Sequence, residues 1–281
     1  MGNGYVELSA DKLIANEIYL DFPSVGATEN ILISACLAKG ETHIINAATE
    51  PEVTDLANFL IKCGAKISGA GTEHISVIGV KELNECEYTI ISDRIEAGTF
   101  MIACAIAGGK IKLNNVCSEH ISPICAKLKD MGVNISTIND TATIIRNNDI
   151  FPVNIKTMPH PGFPTDMQSI FSSLMCFARG TSIITETIFE NRFMHIPELV
   201  KMQAKARIDG RCAVIEGSGN LCGAQVNATD LRAGASLVLA GIGAKGITRV
   251  SNAVYIDRGY ENFVDKMQNI GVDIETTKLC M

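Results

Sequence analysis

The sequence predicts an α/β protein assembled from four repeated βαβαββ-type units. Two recurring glycine markers and one fact of composition carry that expectation. The segments Ala38-Lys39-Gly40-Glu41-Thr42, Ala107-Gly108-Gly109-Lys110-Ile111, Ala178-Arg179-Gly180-Thr181-Ser182 and Ala244-Lys245-Gly246-Ile247-Thr248 each close an apolar helical pattern and lead into a β-rich stretch. Their glycines Gly40, Gly109, Gly180 and Gly246 stand 69, 71 and 66 residues apart. A second marker follows one helix later, at Gly64, Gly132 and Gly271, with Gln203 in the equivalent place of the third copy. Glycine suits these helix ends because left-handed φ costs it little. With 281 residues, 47% of them hydrophobic, and a mean hydropathy of +0.20, the chain is long and apolar enough for two modules with real cores.

Each unit reads helix, glycine, strand, helix, glycine, strand, turn, strand. In the first copy the pieces are Thr28–Lys39, Thr42–Asn46, Glu52–Cys63, Lys66–Ser68 and His74–Val77, with Gly69, Gly71 and Thr72 in the turn. The second of these helices carries Val53, Leu56, Ala57, Leu60 and Ile61 at three- and four-residue spacing, an apolar stripe that packs on a sheet. Alternating helices and strands at this period indicate sheets with packed helices rather than an all-helical solenoid. A polar run, Lys81 to Tyr88, breaks the pattern before the second copy and places a domain boundary near Ile91. Residues 1–23 add two strand-like runs, Tyr5–Leu8 and Glu17–Asp21, which read as the tail of a preceding repeat. The expected organisation is therefore 1–91 with one repeat plus preceding strands, and 92–281 with three. On that organisation Val53, Leu56, Leu60 and the strands around Ile44 and Ile75 are expected to face absent repeats as an open apolar patch.

Composition excludes several classes of function. Lys+Arg number 24 against 31 Asp+Glu, a net charge of −7, and no stretch gathers basic residues along a phosphate backbone, so nucleic acid is excluded as a partner. The ten cysteines lack the two-residue spacing of zinc or thioredoxin motifs, and Cys36, Cys104 and Cys176 sit within apolar runs. They read as reduced, buried small hydrophobes of a cytoplasmic protein, with no metal and no cofactor. No export signal is visible, and apolar runs such as Ala233 to Ile242 are too short and glycine-rich to span a bilayer, so no membrane association is expected.

Four segments place polar groups at the start of a repeat's first helix: Ser24-Val25-Gly26-Ala27-Thr28, Asp93-Arg94-Ile95-Glu96, Thr165-Asp166-Met167-Gln168 and Thr229-Asp230-Leu231-Arg232. Capping of orphan backbone N–H groups accounts for most of them. It leaves Arg94 and Arg232 unexplained, since a cation in a first turn opposes the helix dipole, and an anion nearby is the alternative. Two polar runs, Glu186 to His195 and Tyr255 to Glu261, fall between the post-glycine strand and second helix of their repeats. Either they are solvated loops with a salt bridge, or they line a shared cleft.

Taken together, Leu20-Asp21-Phe22-Pro23-Ser24-Val25-Gly26-Ala27-Thr28-Glu29-Asn30, Pro159-His160-Pro161-Gly162-Phe163-Pro164-Thr165-Asp166-Met167-Gln168, Thr185-Glu186-Thr187-Ile188-Phe189-Glu190-Asn191-Arg192-Phe193-Met194-His195, Ala228-Thr229-Asp230-Leu231-Arg232-Ala233 and Ile256-Asp257-Arg258-Gly259-Tyr260-Glu261 resemble the UDP-N-acetylglucosamine 1-carboxyvinyltransferase family. The resemblance runs in order through essentially the whole chain. It implies the enolpyruvyl transferase fold, whose repeats form inside-out α/β barrels, with residues 1–91 a remnant of its inserted domain. It implies transfer of enolpyruvyl from phosphoenolpyruvate to the 3-hydroxyl of UDP-N-acetylglucosamine, with release of phosphate, in peptidoglycan precursor synthesis. By the same resemblance Asp166 is the base near that hydroxyl, Ser24, Val25 and Gly26 hold the UDP part, and Ile188 and Phe189 line the sugar site. Arg232 and Arg258 clamp phosphoenolpyruvate, and Phe22, Pro23, Arg192 and Asp230 are further substrate-binding positions.

The chain departs from that family at its amino-terminal side. The Lys-Asn pair and the mobile loop whose cysteine protonates the methylene have no counterpart, so the chain is expected to be inactive alone and to need a separate amino-terminal piece. The alternatives are a non-catalytic module that binds UDP-sugar or phosphoenolpyruvate, and a shikimate-pathway enolpyruvyl transferase, which the Phe-Glu-Asn-Arg-Phe-Met-His string argues against.

Overall fold

The computed structural model describes residues 7–277 and divides into two compact units, one of residues up to Ile91 with Pro159–Pro161, the other of Ser92–Met158 with residues from Gly162 onward. The first unit runs β1 (Glu17–Tyr19), α1 (Val25–Ala35), β2 (Glu41–Ile45), α2 (Pro51–Lys62), β3 (Lys66–Ser68) and β4 (His74–Ile78), the strands ordered β1-β2-β4-β3. β1 is parallel to β2 and the other pairs are antiparallel, with Ile44 opposite Ile75. Of the early run Tyr5–Leu8, Tyr5 and Val6 lie outside the described residues, and Glu7 and Leu8 form no strand.

The expected open patch on this unit is not found. Ile44, Val53 and Ile75 are 0% and Leu60 5% exposed, and they form one core with Leu32 and Val77, against which Leu56 packs. A single four-stranded sheet has a face wide enough for two helices, so α1 and α2 cover it without help from further repeats. Ile61, assigned to the same stripe, is exposed with Phe59, and the more exposed apolar groups of this unit include Leu8, Ile14 and Tyr19, followed by Ile33 on α1 and Leu37 just after it. Beyond β4 the chain runs without regular structure back along α2, where Asn84 N–H donates to Cys63 O and the Tyr88 hydroxyl donates to Asp55 Oδ1.

The second unit begins with α3 (Arg94–Ala107), β5 (Gly109–Leu113), α4 (Ser122–Asp130), β6 (Asn134–Ile138) and β7 (Thr141–Arg146). It continues with β8 (Ile155–Lys156), a 3-10 turn at Thr165–Met167, α5 (Gln168–Met175), β9 (Gly180–Thr185), α6 (His195–Lys201), β10 (Lys205–Asp209) and β11 (Cys212–Gly217). The last part holds β12 (Gln225–Asn227), α7 (Leu231–Gly243), β13 (Arg249–Ser251), a 3-10 turn at Ala253–Arg258 and α8 (Phe263–Asn269). The sheets are β5-β7-β6, β10-β11-β9-β8 and the pair β12-β13. α3, α5 and α7 are apolar nearly all round, as Phe100-Met101-Ile102-Ala103-Cys104 and Ile170-Phe171 show, and they pack on one another in the middle. The sheets lie around them with alternate residues exposed, which is the inside-out arrangement. No described helix is long and apolar enough to cross a membrane.

Backbone angles bear out the repeat. Gly40, Gly109, Gly180 and Gly246 all have positive φ, as do Gly64, Gly132 and Gly271, and Gln203 takes the same left-handed turn at φ 70. The last copy deviates, since no strand follows Gly271 among the described residues. In the other copies that strand is held by the next one, β3 by β4, β6 by β7 and β10 by β11.

Candidate active site

Three of the four polar helix starts are caps. Ser24 Oγ accepts from Ala27 N–H, Asp93 Oδ1 from Ile95 and Glu96, and Asp230 Oδ1 from Arg232 and Ala233. The fourth is not. α5 begins on a Met167 cap without a side-chain bond, which leaves Thr165 and Asp166 available on the 3-10 turn ahead of it.

Asp166 is held between two guanidiniums. Arg192 Nη2 donates to its Oδ1 at 2.6 Å, while Arg232 donates to Oδ2 from Nη2 at 3.0 Å and Nε at 3.3 Å. Burial disfavours the charge on Asp166, yet Arg192 and Arg232 outweigh it and hold the carboxyl below the usual carboxylate range. Arg232 is 9% exposed, its Nη1 has no partner among the described residues, and its guanidinium lies 5.3 Å from the centre of the Tyr260 ring. The Tyr260 and Thr99 hydroxyls share a bond of 2.9 Å, so α3 fixes the ring on which Arg232 rests. Gly259 allows this approach, since a Cβ there would lie 2.3 Å from Leu231 Cδ1 and 3.4 Å from Arg232 Nη1.

Arg192 has two further attachments. Its Nη1 donates to Thr165 Oγ1 at 2.8 Å, and its guanidinium lies 4.7 Å from the centre of the Phe189 ring, which is itself half-exposed. Beneath them sits Glu186, 1% exposed, whose carboxylate accepts from the Thr157 and Thr165 hydroxyls and the Ile188 and Phe189 amides. His195, also 1% exposed, bonds Ser172 Oγ at 2.9 Å, and burial pushes its pKa down to about 3.

Of the residues singled out in the sequence, the structure brings Asp166, Arg192 and Arg232 together, with Asp230 capping the helix that carries Arg232. Arg94 is not among the guanidiniums on Asp166. Arg258 is exposed at the end of its turn, one residue before Gly259, and has no hydrogen bond or ion pair among the described residues. Ile188 and Phe189 stand on the turn that Glu186 anchors. In the first unit Phe22 is exposed, Pro23 precedes the Ser24 cap, and Val25 and Gly26 open α1, whose first turn carries no acidic residue. A Cβ at Gly26 would meet nothing within 4 Å, so that helix start faces open space. Sequence reasoning missed Thr165 as anything but a cap, and passed over Glu186, Tyr260 and Thr99. Among the described residues no group of three or more His, Cys, Asp or Glu side chains gathers to hold a metal.

The family model of EPSP synthase (3-phosphoshikimate 1-carboxyvinyltransferase) matches residues 1–267. The chain belongs to this family. Within it, the chain is 56% identical over 274 residues to UDP-N-acetylglucosamine 1-carboxyvinyltransferase 2 of Clostridium tetani, covering 98% of this chain and 66% of that protein. It is 52% identical over 277 residues to the protein of the same name in Carboxydothermus hydrogenoformans, with the same coverage. The chain thus spans about two thirds of the length of these relatives. Among solved structures, the enolpyruvyl transferase NikO of Streptomyces tendae superposes with a TM-score of 0.87 at 27% identity, over 96% of this chain and 66% of that one. An EPSP synthase of Acinetobacter baumannii gives 0.74 at 21% identity over 95% and 65%, a likeness of fold alone.

Proposed function

We propose that the chain carries the base and the anion-holding groups of a UDP-N-acetylglucosamine enolpyruvyl transferase, in the cytoplasm. The observation that supports this most is Asp166 gripped by Arg192 and Arg232, one carboxylate facing two fixed cations. A net positive site with a proton acceptor at its centre suits a reaction in which a hydroxyl attacks a phosphate-bearing enol ether. Asp166 takes the 3-hydroxyl proton as the sugar oxygen bonds to the substituted enol carbon and the methylene gains a proton, and in the later elimination phosphate leaves as one proton of the resulting methyl group is removed. Held by both guanidiniums, Asp166 is a weak base. An anion that draws Arg232 away from Oδ2 raises its basicity, so phosphoenolpyruvate arms the group that activates its partner.

Arg258 joins Arg232 on that anion, and Ile188 and Phe189 receive the sugar. The Ser24-Val25-Gly26 start of α1, with Phe22 and Pro23 before it, receives the UDP part through free amides and a favourable dipole. On this reading residues 1–91 are a remnant of the inserted domain, 92–281 form the three-repeat domain, and the proton for the methylene comes from a separate amino-terminal piece. Calorimetric titration of the 281-residue chain tests the substrate class: UDP-N-acetylglucosamine is expected to bind and shikimate 3-phosphate not to. Binding of shikimate 3-phosphate alone would overturn the reading.

A further inference from the structure

Glu186 is a buried carboxylate with four hydrogen-bond donors, and none of the four is a cation. Its two oxygens serve two different parts of the second unit. Oε1 accepts from Ile188 N–H at 2.8 Å, Phe189 N–H at 3.1 Å and Thr157 Oγ1 at 2.9 Å, which fixes the turn following β9. Oε2 accepts from Thr165 Oγ1 at 2.8 Å. Arginine has no acceptor, so Thr165 must accept from Arg192, and its own proton has to go elsewhere. Glu186 takes that proton and thereby aims the lone pairs of Thr165 at Arg192 Nη1, whose partner nitrogen Nη2 holds Asp166. A buried carboxylate is costly unless every acceptor is used, and here each oxygen has a distinct task.

We propose that Glu186 is a positioning residue that couples the Ile188-Phe189 turn to Asp166 through Thr165 and Arg192, so that the sugar-facing turn and the base hold one geometry. The words base and sugar-facing rest on the function proposed above, but the coupling itself does not. Glutamine in place of Glu186 has one acceptor oxygen. Three donors claim it on the Oε1 side, so the amide NH2 faces Thr165, turns its hydroxyl and misdirects its lone pairs.

The test uses the 281-residue chain without substrate, with hydrogen exchange on peptides covering 186–192 and carbon-detected titration of the Asp166 carboxyl. In Glu186→Gln the Ile188 and Phe189 amides are expected to keep their protection within about twofold, while the Asp166 midpoint rises by about half a pH unit as Arg192 slackens. Thr165→Val is expected to give the same rise, and the double variant no more than either single one. An unmoved Asp166 midpoint in both single variants, or additive shifts in the double, would overturn the coupling and leave Glu186 a local anchor of its turn. Should Glu186→Gln fail to fold, the Asp166 midpoint in Thr165→Val decides the matter by itself: a rise supports the coupling and an unmoved midpoint overturns it. Failure of UDP-N-acetylglucosamine to bind would count against the proposed function and leave these readouts intact.

Discussion

Replacing Asp166 with asparagine keeps the volume of the side chain and removes the single negative charge between Arg192 and Arg232. Arg232 is then left with its charge largely buried, its side chain 11% exposed, and no carboxylate to meet it. Removing one partner of a fully buried pair costs about 3–5 kcal/mol. The Asp166 side chain is 37% exposed, so solvent screens part of this, and about 1–3 kcal/mol is expected. For a unit of this size each kcal/mol moves the midpoint by about 2–4 °C, so calorimetry at neutral pH should show the second unit melting several degrees lower in Asp166→Asn. The difference depends on pH. The folded-state pKa of Asp166 is depressed, so its contribution is complete above the unfolded carboxylate value and is lost as pH falls through the lower folded value. Wild type and variant should therefore converge in acid. An equal or higher midpoint for the variant at neutral pH would refute the claim that Asp166 compensates the two arginines.

Further outcomes follow from the same geometry. His195 stays neutral when folded because burial depresses its pKa to about 3, whereas the unfolded chain binds its proton near the ordinary value of about 6.5. Its contribution is thus full above that ordinary value and falls by about 1.4 kcal/mol per pH unit below it, and urea titrations of His195→Asn should show a shallower acid slope than wild type. A slope equal to wild type would mean that His195 is protonated in the folded state. The hydrogen bond to Asp55 raises Tyr88 to about 12, so ultraviolet titration of Asp55→Ala should bring a tyrosine midpoint back towards about 10; an unchanged titration would remove the strap between residues 84–88 and α2.

The fold was legible where it depends on local backbone preference. The recurring glycines mark positive φ, and even Gln203, which no propensity would place there, is found by its register in the repeat. The direction of the α2 stripe was legible for Val53 and Leu60, but what covers it was not, because a stripe of side chains carries no information on how many partners share a sheet face. The strand expected after Gly271 is not found among the described residues for a related reason: pairing is a property of the partner strand, and the local pattern is silent about it. The site was readable only in part. Arg192 and Arg232 reach Asp166 across 26 and 66 residues, a distance over which the helix-dipole argument could single out Arg232 but could not say which carboxylate it meets. Glu186 was hidden because it ends an apolar strand in a polar loop, where a carboxylate reads as solvated. Its four donors are visible only in three dimensions.

The measurement that bears most directly on the account is phosphate release from UDP-N-acetylglucosamine and phosphoenolpyruvate, with this chain joined to the remaining third of its Clostridium tetani relative. If Asp166 is the proton acceptor, Asp166→Asn lowers kcat by about 100-fold or more while the affinity for the nucleotide sugar changes far less, since the amide keeps the size and one acceptor but takes no proton. Turnover of the variant near that of the parent would contradict the account and reduce Asp166 to a counter-charge for two arginines.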